Sequence, residues 1–303
     1  MDELLKKIAD NKKKLQKLLS IKENKNTLYN WLKNELAYTS NAIEGNTLTR
    51  RETALAIEEN ITTASKPVKD YMEAVNHAKA FEFIWDYAKS SAEITEATIL
   101  QIHKIILAGI DNNNAGFYRN VRVRISGSQT VLPNPLKVPD LMAEFINWLK
   151  HTKDIDEIKA IEAHYRLVSI HPFIDGNGRT SRLLMNLILL SAGLSPIIIR
   201  PIDRKRYLTA LEERQVKEKS EAYIKFMLTA LNRSLKTAID LLDVEKEDVN
   251  KKDLLTVAKF AKLCGVPTST IRYWVQTKKI TPIAYTESGY MLFSKDQKSN
   301  LNL

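Results

Sequence analysis

Residues 171–182 read His-Pro-Phe-Ile-Asp-Gly-Asn-Gly-Arg-Thr-Ser-Arg and lead into the apolar run Leu-Leu-Met-Asn-Leu-Ile-Leu-Leu at 183–190. The run from Arg179 onward predicts a largely buried helix. Gly176 and Gly178 predict a turn at its N-terminus, because glycine reaches backbone angles that are closed to other residues. Free amide N–H groups and the helix dipole favour an anion at such a turn. This stretch therefore predicts a helical fold built around a phosphate site.

Polar residues in the same stretch supply the other parts of a nucleotide site. Arg179 and Arg182 are three residues apart, so both guanidinium groups lie on one side of the first helical turn and can clamp a polyphosphate. Asp175 is placed to hold Mg²⁺, which takes a carboxylate or two together with phosphate oxygens, and His171 can accept a proton near neutral pH. Taken singly, each element has a structural alternative: a turn, a helix stop or a solvated helix face. Taken together, they predict nucleotidyl transfer.

This stretch resembles the signature of the Fic family, His-x-Phe-x-Asp/Glu-Gly-Asn-Gly-Arg-x-x-Arg, at every specified position. The likeness extends to residues 100–103, 116–119 and 163–164, and it covers most of residues 30–235. The resemblance implies a protein adenylyltransferase, that is, a nucleotidyltransferase that AMPylates proteins. Such an enzyme moves AMP from ATP to a Ser, Thr or Tyr hydroxyl of a target protein, or of itself, and releases pyrophosphate.

The resemblance also indicates which chemistry to expect. Relatives that transfer phosphate carry Lys where this chain has Gly178, and a phosphocholine-transferring branch carries Ala where it has Gly176; neither change is present. The resemblance assigns these roles: general base, His171; Mg²⁺ ligand, Asp175; phosphate cradle, Gly176, Asn177 and Gly178; arginines for the β and γ phosphates, Arg179 and Arg182; anchor of the loop in the core, Phe173.

An upstream segment, Ser-Asn-Ala-Ile-Glu-Gly at 40–45, resembles the Ser/Thr-x-x-x-Glu-Gly/Asn inhibitory motif of many Fic proteins, with Ser40, Glu44 and Gly45 at the specified positions. At the end of a helix beside the site, Glu44 would pair with Arg182 and deny it to the γ-phosphate. Some family members use the same glutamate to help remove AMP, so the reverse reaction is a secondary expectation. The alternative is a solvated carboxylate at a helix C-terminus, followed by a glycine cap.

One tyrosine and two histidines outside the loop could each have either a structural or a functional role. Residues 204–211 resemble a stretch that borders the adenine in relatives, so Tyr207 is the candidate for adenine binding; packing in the core is the alternative. His103 and His164 are expected to be buried, hydrogen-bonded structural histidines rather than catalytic ones.

Composition limits the class of protein. With 44% hydrophobic and 27% charged residues in 303, the chain has the make-up of a soluble globular protein of about two domains. No apolar run reaches the ~18 residues of a membrane span, and the N-terminus lacks the apolar stretch of a secretory signal. The single cysteine, Cys264, excludes an internal disulfide and a cysteine-based zinc site. We expect a cytoplasmic protein without membrane contact.

The expected fold is mainly α-helical: a Fic helical core with a small β-hairpin flap, followed by a small winged helix-turn-helix. The flap is predicted from the period-two alternation at 121–125, a turn at Ser126-Gly-Ser128 and the run at 130–132. In relatives this flap pairs with the backbone of the target; a plain surface hairpin is the alternative. The expected domains are an N-terminal helical region with the inhibitory motif, 1–90; the catalytic core, 91–240; a charged linker, 241–253; and the winged helix, 254–303.

The C-terminal tail is the basic part of the chain. Residues 251–303 hold nine Lys or Arg against three Asp or Glu, which is more than half of the net charge of +10. Helices at 256–263 and 267–276, the second opened by a Thr/Ser cap, predict a helix-turn-helix, and Thr286-Glu-Ser-Gly289 predicts a wing. The tail resembles the winged helix of MerR-type regulators. On DNA its groove residues would be Thr268, Ser269, Arg272 and Tyr273, and its phosphate contacts Lys278 and Lys279.

Two questions stay open at this level. The tail can serve protein contacts instead of DNA, and the amphipathic helix expected within residues 1–25 can pack on the core or on a second copy in a homodimer. The leading hypothesis is an autoinhibited protein adenylyltransferase that uses ATP and Mg²⁺. The alternative is a DNA-binding transcriptional regulator whose Fic-like core senses a nucleotide. An intact His171 favours the enzyme, because a sensor needs phosphate ligands but no base.

Overall fold

Helices form nearly all the regular structure of the first unit, Met1–Ile239. The computed structural model describes residues 1–62, 65–90, 92–125, 127–252, 254–277, 279–285 and 291–301. The helices that lie in this unit or begin in it are α1 Asp2–Leu18, α2 Lys22–Ile43, α3 Arg50–Glu58, α4 Val68–Lys89, α5 Glu96–Leu107, α6 Val138–His151, α7 Asp156–Ile170, α8 Asn177–Ser191, α9 Arg204–Lys217 and α10 Ser220–Lys252.

Helix α8 is the centre of this unit. Its residues 179–189 are all buried, and α2, α4, α5 and α7 pack around it. A helix that is buried on every side needs other helices to cover it, as they do here. The prediction of a buried helix after the glycine turn is confirmed, and the turn lies at the N-terminus of this central helix.

The N-terminal helices pack on the core. Ile8, Leu15 and Leu18 of α1 are buried, and Asn11 Nδ2 donates to Asn232 Oδ1 on α10 over 2.9 Å. The amphipathic helix expected within residues 1–25 therefore covers the chain's own core. The regions predicted as separate domains, 1–90 and 91–240, form one unit up to Ile239, since α4 packs on α5 and α8. The predicted linker 241–253 lies, up to Lys252, within the long helix α10.

The predicted hairpin flap is an irregular arm. Residues 121–125 and 127–134 contain no strand, so the prediction of paired strands is wrong for the described part of this segment; Ser126 lies outside it. Alternation shows which side chains can share a face, but a ladder also needs a backbone partner. Here the partner is a side chain: Gln129 N and Ser128 Oγ donate to Glu212 Oε1 of α9 over 2.7 and 2.8 Å.

The second unit, Asp240–Leu303, contains a helix-turn-helix beside a small sheet. Val257–Cys264 forms α11 and Thr268–Gln276 forms α12, and Gly265 at φ +72° ends the first of them. The strands β1 Leu255–Thr256, β2 Ala284–Tyr285 and β3 Met291–Phe293 are antiparallel in the order β1-β3-β2, with Leu255 opposite Phe293 and Tyr285 opposite Met291.

Its core is apolar and aromatic, with Phe260 and Phe293 stacked at 4.9 Å between ring centroids. The predicted helix-turn-helix is confirmed. The predicted Thr/Ser cap of α12 is wrong, because Pro267 precedes the helix and makes no side-chain cap. Lys278 and the wing residues 286–289 lie outside the described residues. In the part of the chain that the structure describes, no helix is both long and apolar enough to cross a bilayer.

Candidate active site

The loop between α7 and α8 begins at His171, which ends α7 in the left-handed conformation at φ +52°. Arg119 holds this bend. Its Nε donates to His171 O over 2.8 Å, its backbone N to Pro172 O over 2.9 Å, and its Nη2 to Pro133 O over 2.8 Å. A non-glycine residue with positive φ costs of order 1 kcal/mol and persists only where the surroundings impose it. Buried Arg119 therefore fixes the backbone of the proposed base.

Inside the loop, Phe173 and Asn177 form an internal brace. Phe173 is fully buried and stacks on His103 with 3.6 Å between ring centroids. The Asn177 side chain accepts from Phe173 N and donates to Phe173 O, both over 2.9 Å. The role predicted for Phe173 as an anchor is confirmed. The Asn177 side chain is engaged within the loop, so it shapes the predicted phosphate cradle from behind.

His103 supports the next part of the loop. Its Nδ1 accepts from Gly116 N over 3.0 Å, so Nε2 carries the proton and donates to Asp175 O over 3.0 Å. Burial lowers the pKa of His103 to about 4, which keeps the ring neutral. Gly176 has φ +77°, and a Cβ there would lie 3.3 Å from this ring. His103 is the structural histidine that the sequence predicted.

The glycine turn opens helix α8 as expected. Gly176 precedes its first residue in the left-handed conformation, and Gly178 lies in the first turn. The amide groups of a first helical turn have no carbonyl partner within the helix. A cavity of about 170 Å³ adjoins this turn, and its lining comprises Glu44, Ile125, His171 and residues 174–179. The predicted base, metal ligand and cradle residues therefore face one cavity.

His171 is half-buried at this cavity, and its Nδ1 lies 3.2 Å from Val168 O. A proton on Nδ1 satisfies that carbonyl and leaves Nε2 as the basic nitrogen. Burial lowers the pKa of His171 below its usual value of 6.5, and Arg119 acts in the same direction; the Val168 carbonyl, Glu44 and Asp175 oppose them. The imidazole is therefore neutral at pH 7 and able to accept a proton.

Asp175 presents a half-exposed carboxylate at the mouth of the loop. Its Oδ1 accepts from Gly176 N over 2.6 Å, and its Oδ2 lies 3.5 Å from Arg179 Nη2 and 4.0 Å from Lys69 Nζ. The described residues contain no group of three or more metal-ligating side chains. Mg²⁺ needs no such cage, since it takes one or two carboxylates and completes its shell with phosphate oxygens and water. A single carboxylate beside a phosphate cradle fits that requirement.

Glu44 lies at the C-terminus of α2 and contacts Arg182, as the sequence predicted. Glu44 Oε1 accepts from Arg182 Nη2 over 2.7 Å. Arg182 also donates from Nε to Ser40 Oγ and from Nη2 to Ser40 O, both over 2.9 Å. The Arg182 side chain is 5% exposed and that of Glu44 39%. The predicted pairing is thus confirmed, and Ser40, one turn earlier on α2, completes the hold on the guanidinium.

Two glycines allow this arrangement, one through its backbone conformation and one through its lack of a side chain. Gly45 turns the chain away from α2 at φ +99°. Gly178 lies under the Glu44 carboxylate: a Cβ at position 178 would collide with Glu44 Oε1 and come within 3.0 Å of Arg182 Nη1. The absence of a side chain at 178 therefore allows the carboxylate to lie against the phosphate turn itself.

Arg179 is engaged elsewhere. Its Nη1 lies 2.9 Å from Glu73 Oε1 on α4, and both side chains are more than nine-tenths buried. Arg179 and Arg182 thus share one end of α8 but contact different acids, Glu73 and Glu44. Sequence reasoning missed Glu73, Arg119 and Arg204, whose Nε donates to Ile43 O at the end of α2 over 2.6 Å. The only signal was that Arg119 and Arg204 fall in stretches that resemble relatives.

Tyr207 lies in the interior, 1% exposed. Its hydroxyl lies 2.9 Å from His164 Nε2, and the Tyr223 hydroxyl lies 2.6 Å from His164 Nδ1. Burial lowers the pKa of His164 to about 3, so this ring is neutral and structural, as predicted. The buried position of Tyr207 favours core packing, the alternative to adenine contact.

In the second unit, the residues predicted to face a DNA groove share one side of α12. Thr268, Ser269, Arg272 and Tyr273 are exposed, whereas Ile271 and Trp274 on the opposite side are buried. Lys279 is exposed as well, with its Nζ 4.9 Å from the centroid of the Trp274 ring. The described residues thus present a polar and cationic helix face.

Residues 93–189 match the Fic/DOC family, and residues 256–293 match the MerR family of regulatory proteins. Protein adenylyltransferase Fic of Drosophila virilis is 38% identical over 173 residues, which are 56% of this chain and 35% of that protein. The protein of the same name from Nematostella vectensis is 39% identical over 181 residues, or 58% of this chain and 42% of that protein. The chain therefore spans less than half the length of these curated relatives.

Solved structures show the same fold. A Fic domain containing signaling protein from Bacteroides thetaiotaomicron has a TM-score of 0.71 and 28% identity, and the match covers 78% of this chain and 97% of that one. Fic-1 from C. elegans has a TM-score of 0.71 and 25% identity, with 79% and 71% covered. The first unit therefore contains a stretch that matches the Fic/DOC family and shares its helical fold with these Fic structures, and the second unit contains a stretch that matches the MerR family.

Proposed function

We propose that this protein is an adenylyltransferase that moves AMP from ATP to a hydroxyl of a target protein. The observation that carries the proposal is the basic nitrogen of His171 at a cavity that the glycine turn and Glu44 also line. Relatives 38% and 39% identical, named protein adenylyltransferase Fic, support the reaction type. The target is a Ser, Thr or Tyr hydroxyl of another protein or of this chain.

The reaction follows from the roles of the loop residues. His171 Nε2 takes the proton of the target hydroxyl while the hydroxyl oxygen bonds to the α-phosphorus of ATP. The bond from that phosphorus to the oxygen that bridges to the β-phosphate breaks, and pyrophosphate leaves with the electron pair. The amides of the glycine turn, with Arg179 and Arg182, hold the phosphates and neutralise the charge that develops on them.

Asp175 would hold Mg²⁺ in this reaction. Mg²⁺ held there would offset the negative charge that develops on the leaving pyrophosphate. The chain supplies one half-exposed carboxylate whose orientation is set by the Gly176 amide, at 2.6 Å. Arg179 Nη2, 3.5 Å from Asp175 Oδ2, holds this carboxylate close to the phosphate turn.

Glu44 inhibits the enzyme in this proposal. While Arg182 donates to Glu44 and Ser40, it is not available to a γ-phosphate. The carboxylate also lies against Gly178, where the phosphates would lie, so it repels them. Release requires the end of α2 to move or the Glu44 side chain to turn away. The same carboxylate, 39% exposed, is placed to assist removal of AMP as a secondary activity.

The test is transfer of labelled AMP. Labelled ATP and cell extract are incubated with one of two proteins. The first is the Glu44→Gly protein with His171 intact, and the second carries His171→Ala in addition. We expect protein-bound label only with intact His171, because the variant loses the base but keeps the phosphate ligands. Label in both samples or in neither would contradict the proposal. The cytoplasmic location and a homodimer stay predictions, which fractionation of cells and light scattering would examine.

A second candidate function, DNA binding by residues 254–303, is favoured by the exposed polar face of α12 and the excess of basic residues. In a protein with this function alone, the Fic domain would sense a nucleotide. A mobility shift that weakens steadily with added salt supports DNA binding, since contacts to phosphates release counterions. Absence of a shift on any duplex at low salt would refute it.

A further inference from the structure

Glu73, a buried residue of α4, contacts two parts of the site that lie far apart in sequence. Its Oε1 lies 2.9 Å from Arg179 Nη1, and its Oε2 accepts from Asn46 Nδ2 over 3.0 Å. The Glu73 side chain is 8% exposed. One carboxylate therefore joins an arginine of the phosphate turn to the segment that follows Glu44.

That segment is held on α4 by a second acid as well. Asp70 Oδ2 accepts from Thr47 N over 2.8 Å and from Thr47 Oγ1 over 2.6 Å. Asn46 Nδ2 donates to Asp70 O over 2.9 Å, and its Oδ1 accepts from Leu48 N over 3.0 Å. Asn46 is two residues from Glu44, so its anchoring on α4 limits how far the inhibitory carboxylate can move.

The contact between Glu73 and Arg179 leaves hydrogen-bonding capacity unused. Within the described part of the chain, the buried Nε and Nη1 of Arg179 find no partner with good hydrogen-bond geometry, although Glu73 Oε1 is only 2.9 Å from Nη1. A buried donor without an aligned acceptor costs about 1–3 kcal/mol. An incoming phosphate that offers aligned oxygens would therefore draw Arg179 away from Glu73.

We propose that Glu73 is a positioning residue that couples Arg179 to the inhibitory segment through Asn46. With Arg179 on Glu73, both oxygens of the carboxylate have partners, and Asn46 holds the end of α2 beside Arg182. A phosphate on Arg179 frees Glu73 to shift, which loosens Asn46 and with it Glu44. Because coupling is reciprocal, loosening of Asn46 favours phosphate binding. This inference rests on the proposed role of Glu44 as inhibitor.

The test is the affinity for ATP with Mg²⁺, measured by calorimetry. Asn46→Ala should bind ATP about tenfold more tightly than the wild type, the effect of one hydrogen bond to a charged group. In the Glu44→Gly protein the same substitution should change the affinity less than about twofold, since no inhibitory carboxylate is left to release. In the Glu73→Gln protein, Asn46→Ala should change the affinity for ATP less than about threefold, because the side chain at 73 that accepts from Asn46 has lost its charge.

Asn34→Ala is the matched control, since Asn34 Nδ2 donates to Glu58 Oε1 and so ties α2 to α3 without contact to Glu73. It should leave the affinity for ATP unchanged. The coupling is overturned if Asn46→Ala does not raise the affinity for ATP, or if it raises the affinity equally in the Glu44→Gly protein. If Asn46→Ala still raises the affinity tenfold in the Glu73→Gln protein, the effect comes from Asp70 and the role of Glu73 is overturned. If ATP affinities follow the expected pattern but Glu44→Gly transfers no AMP, the proposed transfer fails while the coupling stands.

Discussion

Replacement of Glu44 is the most direct test of how the site is controlled. Glu44→Gly removes the carboxylate 2.7 Å from Arg182 Nη2 and frees the space over Gly178. A hydrogen bond between charged groups contributes about 1.5–3 kcal/mol. Because the Glu44 side chain is 39% exposed, solvent screens the pair, and its free-energy contribution lies near the lower end of that range. We therefore expect ATP to bind roughly tenfold to thirtyfold more tightly.

Two assays measure the effect: calorimetry with ATP and Mg²⁺, and incorporation of labelled AMP into protein. The affinity for ATP and the amount of AMP incorporated should both rise in Glu44→Gly. Both should rise less in Glu44→Gln, since the amide keeps one hydrogen bond but loses the charge. Glu35→Gln is the matched control, because Glu35 lies on the same helix as Glu44 but pairs with Arg50 of α3 at 2.9 Å, away from the cavity. Equal or weaker ATP binding by Glu44→Gly would refute the argument that this carboxylate competes with phosphate.

Three further predictions concern other parts of the molecule. AMP transfer by the Glu44→Gly protein should fall on acidification with a midpoint below pH 6.5, since burial lowers the pKa of His171 and protonation removes the base; a midpoint above pH 6.5 in the pH–rate profile would contradict this. Gly178→Ala should lower the Tm of the wild type, but lower it less with Glu44→Gly, because the added methyl meets the Glu44 carboxylate; equal losses would show that the two groups do not meet. Arg272→Ala should weaken a DNA mobility shift at every salt concentration, and an unaltered shift would remove α12 from the DNA contact.

The parts of the site that are close in sequence could be predicted from local rules, and those brought together by packing could be predicted only where a family resemblance indicated them. Gly176 and Gly178 before an apolar run specify a turn and a buried helix by local rules, and both are present. The contact between Glu44 and Arg182 could be expected only because two motifs resembled one family. Glu73 gave no signal, since a glutamate within a helix has the pattern of a solvated residue until α8 packs over it.

The hairpin shows the opposite limit. Period-two alternation at 121–125 predicts a strand, but the pattern cannot say which groups would pair with its backbone. Glu212 on α9 accepts hydrogen bonds from Ser128 Oγ and Gln129 N, and the described part of the segment forms an arm without strands. Tyr207 shows a similar limit, because a stretch that resembles an adenine border also supplies a side chain to the interior.

The burial of α8 has a consequence for how such a protein can change over evolutionary time. Because residues 179–189 are enclosed on all sides, almost any substitution there disturbs several neighbours and risks the whole fold. Glu44, Gly45 and Thr47 are exposed, so a substitution at these positions alters a few polar contacts and leaves the core unchanged. In the proposed enzyme, substitutions at these exposed positions would alter the control of AMP transfer, while the buried reaction centre is inherited intact.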